Sequence, residues 1–264
     1  MPTLRPLLLL LLAALSGPVA AQGERVLRVC MTDTPHEPWR YTVDGRVPKG
    51  LDHELLNRFG QRSGWRVALQ TVSGRRCLIE LQQGRADATV GLSHNAERAA
   101  YVRYPMRGGR PDPALALRMD GYSLYHRPGF ALQWDGQSLR LPPGSVVEVL
   151  SGQSVIGDLK SRGVEFVERG REAEHSLQRL VDGQAQIAAL PTSRVEALRQ
   201  RVPAYAALVQ VEPALSVKPY FAVFAEGFAQ AHEAELPALW RAFDEASRFP
   251  AYQQAARRSA ATTR

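Results

Sequence analysis

The chain has 264 residues, of which 45% are hydrophobic, 8% aromatic and 22% charged. That composition is too apolar for a disordered chain and too mixed for a fibrous repeat, and the length admits one large domain or two lobes. Lysine and arginine (33) outnumber aspartate and glutamate (26), giving a formal charge of +7 that makes an anionic partner the first class to test.

The first segment reads as an export signal. Arg5 supplies a positive n-region, Leu7 to Leu15 is an unbroken apolar run, Gly17-Pro18 breaks it, and Val19-Ala20-Ala21 offers the small residues that signal peptidase accepts before Gln22. The run is too short for a bilayer anchor, and no later stretch approaches the ~20 apolar residues a membrane helix needs. Residues 1–21 are therefore expected to be cleaved, and loss of Arg5 lowers the +7 by one. A free periplasmic protein is the expectation. Export disfavours genomic nucleic acid as a partner, and the basic residues are scattered, dense only at Arg75-Arg76, Arg199 to Arg201 and Arg257-Arg258.

Val26 to Met31 alternates as a strand does, and Leu51, Leu55, Leu56 and Phe59 recur at helical spacing with Asp52 and Glu54 in the first turn. Trp65 to Val72 reads as a strand, Leu78 to Gln83 as a helix and Ala86 to Gly91 as a strand. The rhythm returns with strand Ser145 to Leu150, helix Val155 to Arg162, strand Val164 to Val167, helix Ala173 to Val181 and strand Ala185 to Leu190. Strand and helix alternation argues for an α/β fold with helices on the faces of mainly parallel sheets. Leu81-x-x-Gly84-x-Ala86 and Leu180-x-x-Gly183-x-Ala185 occupy matching places, each a helix ended by a glycine able to take positive φ. Gly121 to Arg127 and Lys218 to Ala225 look extended, and Ala234 to Ala246 and Pro250 to Arg257 read as helices. The expected organisation is a first lobe of residues 22–122 and 224–264, a second inserted lobe of residues 123–223, two crossing hinge strands, and a ligand between the lobes.

Cys30 and Cys77 are the two cysteines, and in an oxidising compartment a disulfide between them is the plain inference. Its loop of about 48 residues corresponds to roughly 4 kcal/mol in the chain-entropy model. A redox site would prefer Cys-x-x-Cys and a metal site neighbouring ligands at regular spacing, so no metal or cofactor is expected.

Gly50-Leu51-Asp52-His53-Glu54-Leu55-Leu56, Leu81 to Ala88, Gly91-Leu92-Ser93-His94-Asn95-Ala96-Glu97-Arg98, the Gly152-Gln153-Ser154 turn and Leu180 to Ala188 resemble, in order and spacing, the family 3 extracellular solute-binding proteins, receptors of polar amino acid uptake. The resemblance runs from Leu27 to Tyr252. It implies a two-lobed type II periplasmic-binding-protein fold, a small ligand bearing a carboxylate, delivery to an inner-membrane ABC permease or to a sensor, and a monomer.

Asn95 is placed to cap a helix whose first turn carries Arg98, so free N–H groups and a planar guanidinium converge on one anion. The resemblance makes Arg98 the carboxylate ligand, with donors at Gly91 and Ser93; the alternative is a surface arginine in an exposed ion pair. Gln153 and Ser154 precede the Val155 helix, in a turn that either closes on the ligand or merely caps. Asp33, His36 and Trp39 follow the first strand, where the resemblance places an acid and an aromatic against the ligand. Core packing is the alternative for Trp39, and an ordinary loop position the alternative for His36 and His94. The family's usual aspartate after the second repeat is missing, since the chain reads Ala189-Leu190-Pro191-Thr192. Asp33 or Glu37 is the conceivable substitute; without one, organic acids or unusual amines are expected to bind better than common amino acids. Arg75-Arg76 adds cations near the expected cleft mouth. The competing class is a lyase on the same fold, like the cyclohexadienyl dehydratases, for which Glu37 is the candidate cleft acid.

Overall fold

The computed structural model describes residues 24–43 and 47–262, so the expected export signal lies outside the described residues. Ten strands form one continuous sheet. In chain order they are β1 (Val26–Thr32), β2 (Arg66–Val72), β3 (Ala88–Ser93), β4 (Val102–Arg103), β5 (Arg118–His126), β6 (Val147–Val149), β7 (Phe166–Glu168), β8 (Ile187–Pro191), β9 (Val209–Gln210) and β10 (Ser216–Ala225). The principal helices are α1 (Leu51–Ser63), α2 (Gly74–Gln82), α3 (Ala96–Ala99), α4 (Val155–Ser161), α5 (Ala173–Val181), α6 (Thr192–Arg201), α7 (Leu236–Ser247) and α8 (Pro250–Ala261).

The sheet order is β7-β6-β8-β5-β10-β3-β1-β2, with β4 on β10 and β9 on β5. At one end β3, β1 and β2 run parallel, and at the other β7, β6 and β8 do. The long antiparallel pair β5 and β10 joins them: Arg118–Tyr122 faces Ser216–Tyr220, beyond which β5 pairs β8 and β10 pairs β3. Two parallel α/β halves are thus welded by two crossing strands, the two-lobed fold expected from the repeats. No helix among the described residues is long and apolar enough to cross a membrane.

Local chemistry explains the element ends. α1 starts beyond Gly50, whose φ of 121° and approach to the Trp39 carbonyl exclude a side chain: a Cβ there would lie 2.4 Å from that oxygen. Leu55, Leu56 and Phe59 face inward, and Phe59 stacks on Phe243 of α7 at 3.8 Å between ring centroids. Ser73 caps α2 by accepting from the Arg76 N–H, which starts the helix four residues earlier than its apolar pattern suggests. Both repeat glycines adopt positive φ, 67° at Gly84 and 75° at Gly183. The strands that follow begin two residues later than expected, at Ala88 and Ile187, because the intervening residues bond back to the helix ends: the Ala86 N–H to the Glu80 carbonyl and the Ala185 N–H to that of Arg179.

Separate apolar cores fill the halves. Leu27, Trp39, Phe59, Phe224 and Phe243 lie in one, and Tyr125, Leu150, Leu177, Leu190 and Val195 in another. Cys30 and Cys77 are bonded, with Cα atoms 5.5 Å apart, and tie β1 to α2.

Candidate functional site

A cleft of about 570 Å³ opens between the halves at the carboxyl ends of the parallel strands, a volume suited to a small ligand. Its lining is strongly cationic. Arg40, Arg75, Arg98, Arg118, Arg171 and Arg194 contribute to it, and Asp120 is the single carboxylate among the described lining residues.

Arg98 lies in the first turn of the helix that Asn95 caps. The Asn95 side chain accepts from the Arg98 N–H and starts α3, and the guanidinium turns inward until the residue is 7% exposed. It donates to the Ser93 carbonyl at 3.1 Å, the Ser93 hydroxyl at 3.3 Å and, across the cleft, the Gly152 carbonyl at 3.1 Å. No carboxylate pairs with it among the described residues, so this buried cation is held by neutral acceptors alone. The Ser93 hydroxyl in turn donates to Ser154 at 3.0 Å, a second bond across the cleft. Gln153 lines the cleft and accepts from the Tyr122 hydroxyl.

The other buried arginines are ionically satisfied. Arg118 meets Asp52 through two bonds, 2.7 and 3.1 Å, donates to the Tyr252 hydroxyl and stacks on Trp39 at 4.1 Å. Burial alone would lower its pKa, but Asp52 and Tyr252 more than offset that and hold it above the usual arginine value. Gly91 makes room for this pair: at φ 72°, a Cβ would lie 2.4 Å from the Arg118 guanidinium. Arg40, 3.6 Å from the same Asp52, is pulled down to about 10 by burial. Arg194 bonds Glu174 at 2.9 Å.

Asp120 sits on β5, 2% exposed. It accepts from the Ser193 hydroxyl at 2.6 Å, the Ser193 N–H at 3.4 Å and the Gly121 N–H at 2.8 Å. Burial pushes its pKa up, against the pull of those bonds. His36 Nε2 lies 3.0 Å from the Ser193 hydroxyl and 3.6 Å from Asp120. Its pKa is driven well down by burial and by Arg40, Arg194 and Arg118, leaving the ring neutral. The one hydroxyl hydrogen of Ser193 goes to Asp120, so Nε2 carries the ring hydrogen and donates to Ser193. Serine, histidine and aspartate meet here, yet not as a nucleophilic triad, which needs the base to accept from serine and the acid to hold the opposite ring nitrogen.

Of the residues the sequence singles out, Arg98, Ser93, Gly91, His36 and Gln153 line the cleft, and Ser154 bonds to Ser93 at its edge. Asn95 acts as the cap. Trp39 is fully buried among core residues and absent from the lining. Asp33 and Glu37 are also outside it, on the exposed rim, where they pair with Arg171 at 3.3 Å and Arg201 at 3.0 Å. Charged side chains near an aromatic loop are drawn to water and to the facing arginines rather than into a dry cleft. The sequence reading passed over Asp120, because the mixed polar and apolar run of β5 gives it no local signal.

Residues 27–118 match the bacterial extracellular solute-binding proteins, family 3. No curated protein sequence matches the chain. Among solved structures, a histidine kinase sensor domain with similarity to periplasmic binding proteins superposes with a TM-score of 0.69 at 16% identity, covering 89% of this chain and 96% of that one. An ancestral arginine-binding protein bound to arginine gives 0.67 at 18% identity, covering 88% and 97%. The ancestral amino acid-binding protein that is a precursor of cyclohexadienyl dehydratase gives 0.65 at 15% identity, covering 88% and 94%.

Proposed function

We propose that this chain, which carries the family 3 solute-binding match over residues 27–118 and that family's two-lobed fold, is an exported periplasmic receptor that captures a small carboxylate-bearing solute between its lobes. The observation that carries the reading is Arg98: a buried guanidinium in the cleft, bonded to carbonyls and a hydroxyl but to no acid. Desolvating a cation without a counter-charge is costly, and a ligand carboxylate meeting Arg98 in bidentate fashion removes that cost. Residues 22–122 with 224–264, and the inserted residues 123–223, would be the closing lobes. Gly152 and Ser154 on the far wall give the ligand-bound form contacts to both, so binding shifts the population toward closure. The solved relatives include both a sensor domain and the binding protein of an amino acid ABC transporter, so permease and sensor both fit as recipients.

The test is a thermal-shift screen of amino and organic acids followed by calorimetry. Arg98→Ala is expected to keep the fold and weaken binding of the selected solute at least 100-fold, on the order of what loss of a desolvated charge pair brings. Unchanged affinity overturns the carboxylate site.

A lyase on the same fold is the second reading, favoured by the dehydratase precursor among the relatives and by one cleft carboxyl with a raised pKa, Asp120, rather than by Glu37. Recovery of the bound solute unchanged after long incubation separates receptor from enzyme.

A further inference from the structure

The two outer strands of the ten-stranded sheet are unequal. β7 closes one side with three residues, the last of them Glu168. β2 closes the other with seven, Arg66–Val72, paired to β1 in unbroken register and to no other strand among the described residues. Soluble proteins blunt such edges with short strands, lysine, proline or a bulge, because the free N–H and C=O groups template pairing with another chain. β2 has none of these. Its one charge, Arg66, stands at the first position and is matched by Glu24 at 2.7 Å. Leu69, at its centre, is an apolar side chain left 37% exposed.

The register shows which backbone groups of β2 are open. The Arg66 N–H donates to the Arg25 carbonyl and the Val72 carbonyl accepts from the Asp33 N–H, each at 2.8 Å, so both ends of β2 turn toward β1 and its continuation. Successive residues of a strand direct these groups to opposite sides. With Arg66, Ala68, Gln70 and Val72 committed to β1, those of Val67, Leu69 and Thr71 point outward, and nothing among the described residues bonds to them. The three open positions are symmetric about Leu69. Run antiparallel to itself, β2 sets Leu69 opposite Leu69 of a second copy and Val67 opposite Thr71, each pair exchanging both backbone bonds. Arg66 then faces Val72, so like charges stay apart. The chain outside the described residues offers no substitute for the second copy. Residues 44–46 and 263–264 are too few to span this strand, and only Gln22 and Gly23 remain ahead of Glu24 once the expected export signal leaves.

We propose that β2 is the interface of a two-fold homodimer in which the sheets of two copies join edge to edge, with the two Leu69 side chains in contact on the axis. A contact that uses the same patch on both copies closes after two, so it gives a dimer and not a filament. Pairing of β2 with β7 of another copy would be head to tail, would use the three residues of β7 and would not close. In the sheet, β1 and β3 stand between β2 and the crossing strand β10, so the interface leaves the crossing strands uncovered. The proposal is independent of the Arg98 reading and replaces the expectation of a monomer.

The experiment is sedimentation equilibrium on the protein beginning at Gln22, from about 1 to about 200 μM, a range that brackets small reversible interfaces. The wild type is expected to pass from monomer to dimer across it. Leu69→Lys sets two cations together on the axis at an exposed position, and is expected to weaken dimerisation by about 10-fold or more with unchanged circular dichroism. Oxidation reads the register, because Cα atoms of a hydrogen-bonded antiparallel pair lie about 5.5 Å apart, within disulfide reach. Leu69→Cys is expected to link to itself, and Thr71→Cys only when mixed with Val67→Cys. A wild type that stays monomeric, Leu69→Lys dimerising as the wild type does, or Thr71→Cys linking to itself as fast as Leu69→Cys overturns the proposal. The wild-type measurement needs no variant, so it holds even if a substitution disturbs folding. Unchanged affinity in Arg98→Ala would overturn the carboxylate site and leave this interface standing.

Discussion

Asp52 shows how a residue that looks like a helix-starting acid becomes a structural hub. Its position in the first turn of α1 suits the helix dipole, but its fully buried carboxylate serves to anchor Arg118 by two bonds and to face Arg40. Removing one member of such a pair strands the other in a dry interior. Arg118→Ala is therefore expected to destabilise the protein by about 3–5 kcal/mol, and the combined Asp52→Leu, Arg118→Met by clearly less, since no charge is then left unpaired. Urea denaturation of the two variants checks this, and equal losses in the single and double variants would contradict it. Gly91 belongs to the same arrangement. Gly91→Ala is expected to lower the melting temperature, because the new methyl meets the Arg118 guanidinium at 2.4 Å and the backbone there is left-handed. A melting temperature within a degree of wild type would count against that packing account.

At the scale of elements, the disulfide joins the first strand to the second helix across a separation of 47 residues, beside the core formed by Leu81, Val102, Tyr104, Phe221 and Val223. Closing that loop in the unfolded chain stabilises the native state by about 4 kcal/mol. Cys30→Ser, Cys77→Ser is expected to shift the urea midpoint down accordingly while leaving the wild-type midpoint in reductant close to that of the double variant; intact-mass measurement should find no free thiol in the native protein. The hinge strands are the other decisive elements. Period-two alternation does not show in β5 or β10, because much of each is buried from both sides. Their extended character was legible, but the start of β5, and with it Asp120, was not.

For the whole molecule, the cleft is bridged by Arg98 to Gly152, Ser93 to Ser154, His36 to Ser193, and on the rim Asp33 to Arg171 and Glu37 to Arg201. On the proposed receptor reading, closure rests on small polar contacts of this kind that a ligand reinforces, and small-angle scattering is expected to show a smaller radius of gyration on addition of a bound solute; an unchanged profile would contradict a hinge. The same bridge has a pH sign. His36 faces Arg40, Arg118 and Arg194, with Asp120 and Ser193 on its other side, and its pKa is held well below 6.5. Below pH 6.5 the unfolded chain takes up a proton that the folded chain refuses, so stability falls as pH drops from 6.5 toward the depressed value. His53 and His94, also lowered by burial, act in the same direction. Asp120, with its raised pKa, gains a proton earlier in the folded state and opposes the loss at lower pH. Urea midpoints at pH 7.5 and 5.5 are expected to fall in the wild type and to fall less in His36→Gln; equal slopes would exclude the histidine.

Sequence by itself determined what depends on neighbours along the chain: the alternation of strands and helices, the paired glycine turns, the Asn95 cap that places Arg98, and the likeness to family 3. Those features follow from local periodicity and from hydrogen bonds spanning three or four residues. Only the tertiary structure decided which charges are buried together. Arg98 and Arg118 are both arginines in polar stretches, yet Asp52, 66 residues from Arg118, satisfies one, whereas the other meets no carboxylate among the described residues. Likewise Asp120 meets Ser193 only because β5 is laid beside β8, since strand pairing joins residues whose separation along the chain carries no pattern.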